Sequence, residues 1–169
     1  MPVITTLFIC SFLYRECKST TNHFIFASGI DFSYMRSDCP LNYGLEIFGD
    51  KWTLLIIRDL MFFGKRYYNE FLASDEGIST TVLADRLSLL ERQKIIRKRK
   101  DKEHKQRIVY SLTEKGIDLL PVLINIGLWS DKYASRLNPH RDIIIGAAKK
   151  DYMSGIEEMK RRLYDIHLQ

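Results

Sequence analysis

Between Ile78 and Leu112 the spacing of apolar residues changes from helical to alternating, and few folds accommodate that change in so short a stretch. Ser79 stands where an N-cap is wanted, and Val82, Leu83, Leu87 and Leu90 follow at intervals that line one face of a helix. The opposite face is small and polar: Thr80, Thr81, Ala84, Asp85 and Ser88. Directly afterwards Ile95–Lys100 and Arg107–Leu112 read as two strands, with Ile108, Tyr110 and Leu112 two apart on one face and Asp101–Gln106 as a polar tip. A short helix over Tyr67–Ala73 and a loop over Ser74–Gly77 come before the capped helix. Two helices on a short turn, the second with a polar outer face, predict a helix-turn-helix, and the hairpin behind it predicts a wing. The expected fold class is mainly α with a small β-hairpin, a winged helix-turn-helix domain with flanking helices.

The charge distribution singles out the same hairpin. Nine basic residues (Arg92, Lys94, Arg97, Lys98, Arg99, Lys100, Lys102, Lys105, Arg107) and three acidic ones lie between Glu91 and Arg107, and the rest of the chain carries 17 basic and 18 acidic residues. Such a concentration favours a polyanion over an ordinary solvated face. Two partner classes fit, duplex DNA or an acidic protein surface, and salt separates them. Neutralising roughly six to ten phosphates makes affinity for DNA fall by about 10³ to 10⁵ between about 50 and 200 mM salt. A protein-binding winged helix would associate with duplex weakly and with little dependence on salt.

Elsewhere the pattern is helical. Pro40 suits a first helical turn, and a helix through Phe48 stops at Gly49. Asp50 offers a cap for a helix from Lys51 to about Phe63, apolar nearly all round and so central. Thr113 caps a helix running to about Leu137, which Pro121 should kink or locally unwind. A final helix after Pro139 carries Ile145, Ala148, Tyr152, Ile156, Met159, Leu163 and Ile166, a spacing that averages about 3.5 residues, as in the seam of a helix lying along a partner. Docking on its own domain is the alternative; the length of the stripe favours a dimer seam. The division expected is a domain over 35–137 and a C-terminal dimerisation helix over 138–169.

Residues 1–34 differ in composition and are expected to be a poorly ordered leader, or to precede a translation start at Met35. The apolar stretch Val3–Leu13 has no basic residue before it and no small-residue cleavage site after it, so it does not read as a signal peptide. Cys10, Cys17 and Cys39 form neither a CxxC pair nor a disulfide framework, which points to a reducing, cytoplasmic setting. No apolar run reaches the length of a membrane span. The four histidines are scattered, no phosphate-binding loop is present, and Ser79 has no base partner, so neither a metal, a cofactor nor an enzymatic activity is expected.

The chain resembles the HxlR-type winged-helix transcriptional regulators of bacteria, relatives of the MarR group. The resemblance rests on Cys39-Pro40, Gly49-Asp-Lys-Trp-Thr-Leu-Leu-Ile-Ile-Arg-Asp-Leu60, Arg66-Tyr-Tyr-Asn-Glu-Phe71, Gly77-Ile-Ser79, Leu83, Arg86-Leu87, Leu90-Glu91, Tyr110-Ser-Leu-Thr-Glu-Lys-Gly116 and Leu119-Leu-Pro-Val-Leu123. It implies a homodimer, formed by the first helix and the helices after the wing, that binds a pseudopalindromic operator and most simply acts as a repressor. The helix capped by Ser79 would enter the major groove, with Thr80, Thr81, Asp85 and Ser88 at base edges. Arg86, Lys94, Lys98, Lys100, Lys102, Lys105 and Arg107 would meet phosphates. Cys39 aligns with a thiol that some similar proteins use to sense electrophiles or oxidants, with Arg36 near enough to favour the thiolate; a cysteine that only packs is the alternative. An apolar small molecule held between the dimer helices is a further effector class. Three departures stand out. Lys94 occupies the place of the glycine that usually ends the recognition helix, no base lies near Thr81, and the wing tip lacks the usual prolines.

Overall fold

A computed structural model describes residues 36–135 and 141–168; residues 1–34, for which a leader is expected, lie outside them. Pro40 opens helix α1 (Pro40–Phe48), which ends at Gly49, where the backbone turns so tightly that a Cβ would meet the Leu45 carbonyl oxygen at 2.4 Å. The Asp50 carboxylate accepts hydrogen bonds from the backbone N–H groups of Trp52 (2.8 Å) and Thr53 (3.1 Å). Residues 51 and 52 are thereby spent in a turn, and helix α2 (Thr53–Phe62) starts two residues later than the expected Lys51. As its composition predicts, α2 is central: Ile56, Ile57, Leu60 and Met61 are all buried.

Helices α3 (Tyr68–Leu72) and α4 (Thr80–Arg92) form the helix-turn-helix. Strands β1 (Ile96–Lys100) and β2 (Ile108–Leu112) follow as an antiparallel hairpin in the register Ile96↔Leu112 to Lys100↔Ile108. The polar tip is closed by Asp101, whose carboxylate accepts from the N–H groups of Glu103 (2.7 Å) and His104 (3.0 Å).

The long helix expected from Thr113 is two helices. Thr113 caps α5 (Glu114–Ile117); the chain then turns, and Pro121 sits in the first turn of α6 (Leu120–Tyr133), where its missing N–H costs nothing. The sequence reading of a kink at Pro121 becomes a break just before it.

The expected final helix is also divided, into α7 (Arg141–Lys150) and α8 (Tyr152–His167). Asp151 is extended and caps α8 through the N–H of Ser154 (2.7 Å), while Gly155 lies so close to α7 that a Cβ would come within 2.7 Å of the Ala147 carbonyl carbon. The stripe from Ile145 to Ile166 is therefore not one seam. Ile145, Ala148, Ile156 and Leu163 are buried within the chain itself and only part of the stripe, notably Ile166, is exposed. The intervals stay near 3.5 across the break because a capped turn happens to preserve them.

Helix α7 is fastened to α6 by Lys149 and Arg141, both paired with Asp131 (2.6 and 3.3 Å), and by Gly127, which leaves room for Ile145. Besides Ile143 on α7 and Tyr152, Met153 and Ile166 on α8, exposed apolar side chains gather in two sets, Leu41 and Leu45 on α1 and Val122, Ile126, Trp129 and Tyr133 on α6. Their spacings of four, and of four, three and four, put each set on one helical face. No helix among the described residues is long and apolar enough to cross a membrane.

Candidate nucleic-acid interface

The rotation of α4 is fixed by Leu83, Leu87 and Leu90, which are buried in the core. Ser79 caps its first turn, accepting from the Val82 N–H. With those residues held, Thr80, Thr81, Ala84, Asp85 and Ser88 all point to solvent, as the sequence predicts. The N-terminal half of α4 is a row of hydroxyls, one methyl and one carboxylate.

The helix ends in a Schellman motif. The Ile95 N–H reaches the Leu90 carbonyl (2.9 Å), the Lys94 N–H reaches the Glu91 carbonyl (2.9 Å), and Ile95 packs with Leu90 at zero exposure. This motif demands a left-handed residue between them, and Lys94 supplies it at φ +54°. The departure from glycine is thus absorbed by strain at Lys94, and the turn keeps its geometry. Thr113 Oγ1 donates to the Lys94 carbonyl (2.6 Å), which ties the turn to the end of β2 at the root of the hairpin.

The hairpin stands beside α4 and carries most of the remaining bases. Lys100, Lys102, Lys105 and Arg107 are exposed, and so is Lys98, whose ammonium pairs with Glu91 at 2.6 Å and is thereby raised above the usual lysine pKa. The expectation for Arg86 meets a competing partner: it is half-buried, with Nε 3.6 Å from the Asp50 carboxylate.

Two anchors of the hairpin were not singled out from sequence. Arg66 donates from Nε to the Tyr110 carbonyl (3.2 Å) and from its terminal nitrogen to Ser111 Oγ, while its own carbonyl accepts from the Tyr110 N–H (2.9 Å). Tyr67 donates its hydroxyl to Asp101. That bond, with the N–H groups of His104 and Glu103, lowers the Asp101 pKa to about 2. Both residues fall in the stretch Arg66–Phe71 quoted for the family resemblance, but the sequence does not show that they reach a strand far along the chain.

Cys39 is exposed at the N-cap of α1 and its side chain makes no cap bond. Arg36, expected as its basic neighbour, is instead paired with Glu46 at 2.7 Å. Cys10 and Cys17 lie outside the described residues.

Comparison with known proteins bears on this geometry. Residues 47–138 match the family model described as HxlR-like helix-turn-helix. The chain is 34% identical over 111 residues to the uncharacterized HTH-type transcriptional regulator YdeP of Bacillus subtilis, covering 65% of this chain and 86% of that protein. Among solved structures it is similar to PA1607, a candidate transcription factor, with a TM-score of 0.55 and 32% identity over 63% of this chain and 72% of that one. It is also similar to the redox regulator HypR in its oxidized form, with a TM-score of 0.52 and 27% identity over 58% of this chain and the whole of that one.

Proposed function

The chain belongs to the HxlR-like helix-turn-helix family of DNA-binding transcriptional regulators, and from that premise we propose that it represses transcription by binding a pseudopalindromic operator as a homodimer. The observation that carries this reading is the division of labour between α4 and the hairpin. The small acceptor-rich face of α4 suits base edges in the major groove, and the exposed lysines beside it suit phosphates. In this reading Ser79, Thr80, Thr81, Asp85 and Ser88 lie in the groove. Lys94, Lys98, Lys100, Lys102, Lys105 and Arg107 hold the flanking backbone, and Arg86 joins them only by leaving Asp50.

The partner copy would cover the apolar faces of α1 and α6. Trp129 is 66% exposed and Leu41 78%, each in line with other exposed apolar side chains of its helix, and a second copy would remove these stripes from water. In this reading the dimer contact lies on the first helix and the helix after the wing, since Ile145, Ala148, Ile156 and Leu163 of the stripe from Ile145 to Ile166 are buried within the chain itself.

Cys39 opens α1, whose Leu41 and Leu45 belong to that same apolar face. Oxidation or alkylation of its Sγ would therefore alter how two copies meet, which makes a thiol response the regulation we assign. The similarity to a redox regulator supports it.

The test is fluorescence anisotropy of the full chain with its own upstream intergenic DNA and with a scrambled duplex, across a salt series. Tighter binding to the native fragment with a steep salt dependence is expected. Weak, equal and salt-insensitive binding would overturn the reading and favour an acidic protein as the partner of the wing.

A further inference from the structure

The family match ends at residue 138, yet the chain continues into α7 and α8, and the last turns of α8 reach the root of the hairpin. The His167 ring is 1% exposed. Its Nδ1 accepts from the Leu112 N–H on β2 (3.3 Å), and its Nε2 lies 3.1 Å from the Leu60 carbonyl of α2. Those two partners define the ring: neutral, with the proton on Nε2. The His167 carbonyl in turn accepts from the Arg97 guanidinium on β1. In the two turns before it, Leu163 is buried, Lys160 pairs with Asp118 at 2.9 Å, and Tyr164 donates to Glu114 (3.3 Å).

The hairpin is thus held from two sides. Arg66 and Tyr67 hold it from within the family match; the end of α8 holds it from outside, through both strands at once. Arg97 and Ser111 are paired in the register. Ser111 takes the Arg66 contact while Arg97 takes the His167 contact, so the two clamps grip the same rung.

We propose that Arg97 and His167 are positioning residues for DNA binding: the end of α8 sets the position of the wing, so residues beyond the family match govern part of the operator affinity. The proposal rests on the reading that the wing meets DNA. A two-stranded hairpin is marginal by itself and takes its direction from what it packs against. Its exposed bases lie beyond the clamped rung on a tip tied back through the Tyr67–Asp101 bond, so a rotation at the root swings Lys100, Lys102 and Lys105 about that tether and changes how they meet the DNA backbone.

The experiment compares full-length wild type, Arg97→Met, Arg97→Lys, His167→Phe and the triple variant Lys100→Ala/Lys102→Ala/Lys105→Ala by anisotropy over a salt series, with thermal unfolding of each. Arg97→Met and His167→Phe are expected to bind about three- to tenfold more weakly, with a salt slope shallower by about one, as for a lost phosphate contact. His167→Phe is informative because it removes no charge from the DNA face. Arg97→Lys, which still donates to the His167 carbonyl, is expected to stay near wild type. In the triple-lysine background the effect of Arg97→Met should vanish. The clamp is overturned if Arg97→Met and His167→Phe keep wild-type affinity and slope. It is equally overturned if they lose affinity at an unchanged slope, by the same factor with or without the lysines, which would mark a purely structural role. If the triple variant itself binds like wild type, the wing does not meet DNA, and the reading beneath the proposal fails instead.

Discussion

The hydroxyl of Tyr67 donates to the carboxylate of Asp101, 34 residues further along the chain, and so joins the residue just ahead of α3 to the turn of the wing. Asp101 also caps that turn, so a single carboxylate shapes the tip and fixes it to the helix-turn-helix. Tyr67→Phe is expected to raise the Asp101 pKa from about 2 toward the ordinary 3.8 while leaving the two backbone bonds in place. Because the folded pKa is depressed, Asp101 contributes stability above 3.8 that is lost as pH falls through about 2. Side-chain carboxyl titration by NMR checks this, and an Asp101 pKa unchanged in the variant would show that the tyrosine is not its main partner.

His167 titrates in a different window. Burial, with Arg66 and Arg97 nearby, lowers its pKa from 6.5 to about 4. The unfolded chain therefore binds the proton first, and stability should fall as pH drops from about 6.5 to about 4, then cease to depend on this group. Thermal unfolding across that range should show the slope in wild type and a flatter profile in His167→Phe. An identical slope in both would assign the pH dependence elsewhere.

Lys94 pays for a left-handed backbone that glycine adopts freely. With φ at +54°, Lys94→Gly is expected to stabilise the protein by about 1 kcal/mol, the strain relieved being roughly 1–2 and the added chain entropy offsetting part of it. Denaturant unfolding measures the difference. A destabilised variant would mean that the lysine side chain contributes more than its backbone costs.

Among the described residues Asp59 is the buried acid. Its side chain, 3% exposed, receives Lys65 (3.0 Å), Ser74 Oγ (2.6 Å) and Arg58, which itself pairs with Glu76. This network joins α2 to the turn between α3 and α4, and Asp59→Ala should cost about 2–4 kcal/mol, toward the lower end because Arg58 and Lys65 can recover water. A loss below about 0.5 kcal/mol, the scale of an ordinary surface change, would contradict the network's role.

Trp129 and Tyr133, with ring centroids 5.3 Å apart, form the most exposed part of the α6 face. If that face meets a second copy, Trp129→Ser should sediment as a monomer at concentrations where wild type is dimeric, without loss of thermal stability in the monomer. Equal sedimentation would move the dimer contact off α6.

Much of this architecture was legible in the sequence because its signals are local. Ser79, Thr113 and Pro40 mark helix starts within a few residues of themselves, and the alternation from Ile108 to Leu112 shows a strand without knowledge of its partner. The division between α7 and α8 was hidden because apolar spacing registers the buried face and is blind to a turn that preserves it. Asp151 followed three residues later by Ser154 was the available cue. Contacts that hold the candidate site together were beyond reach: Asp59 to Ser74 spans 15 residues, Tyr67 to Asp101 spans 34 and Arg97 to His167 spans 70. The residues facing DNA in our reading are nearly all visible in sequence, since exposure on α4 follows directly from the buried stripe; the residues that hold them in place are not.

The most direct test of the account is to measure the affinities of Asp85→Ala, Thr80→Ala and the triple variant Lys100→Ala/Lys102→Ala/Lys105→Ala for both the native upstream fragment and a scrambled duplex. The account predicts that the lysine variant weakens binding to both duplexes by the same factor, whereas the α4 variants change the ratio between them, by about 1–3 kcal/mol per lost base contact. Unchanged ratios for both α4 variants, together with wild-type affinity in the lysine variant, would contradict it.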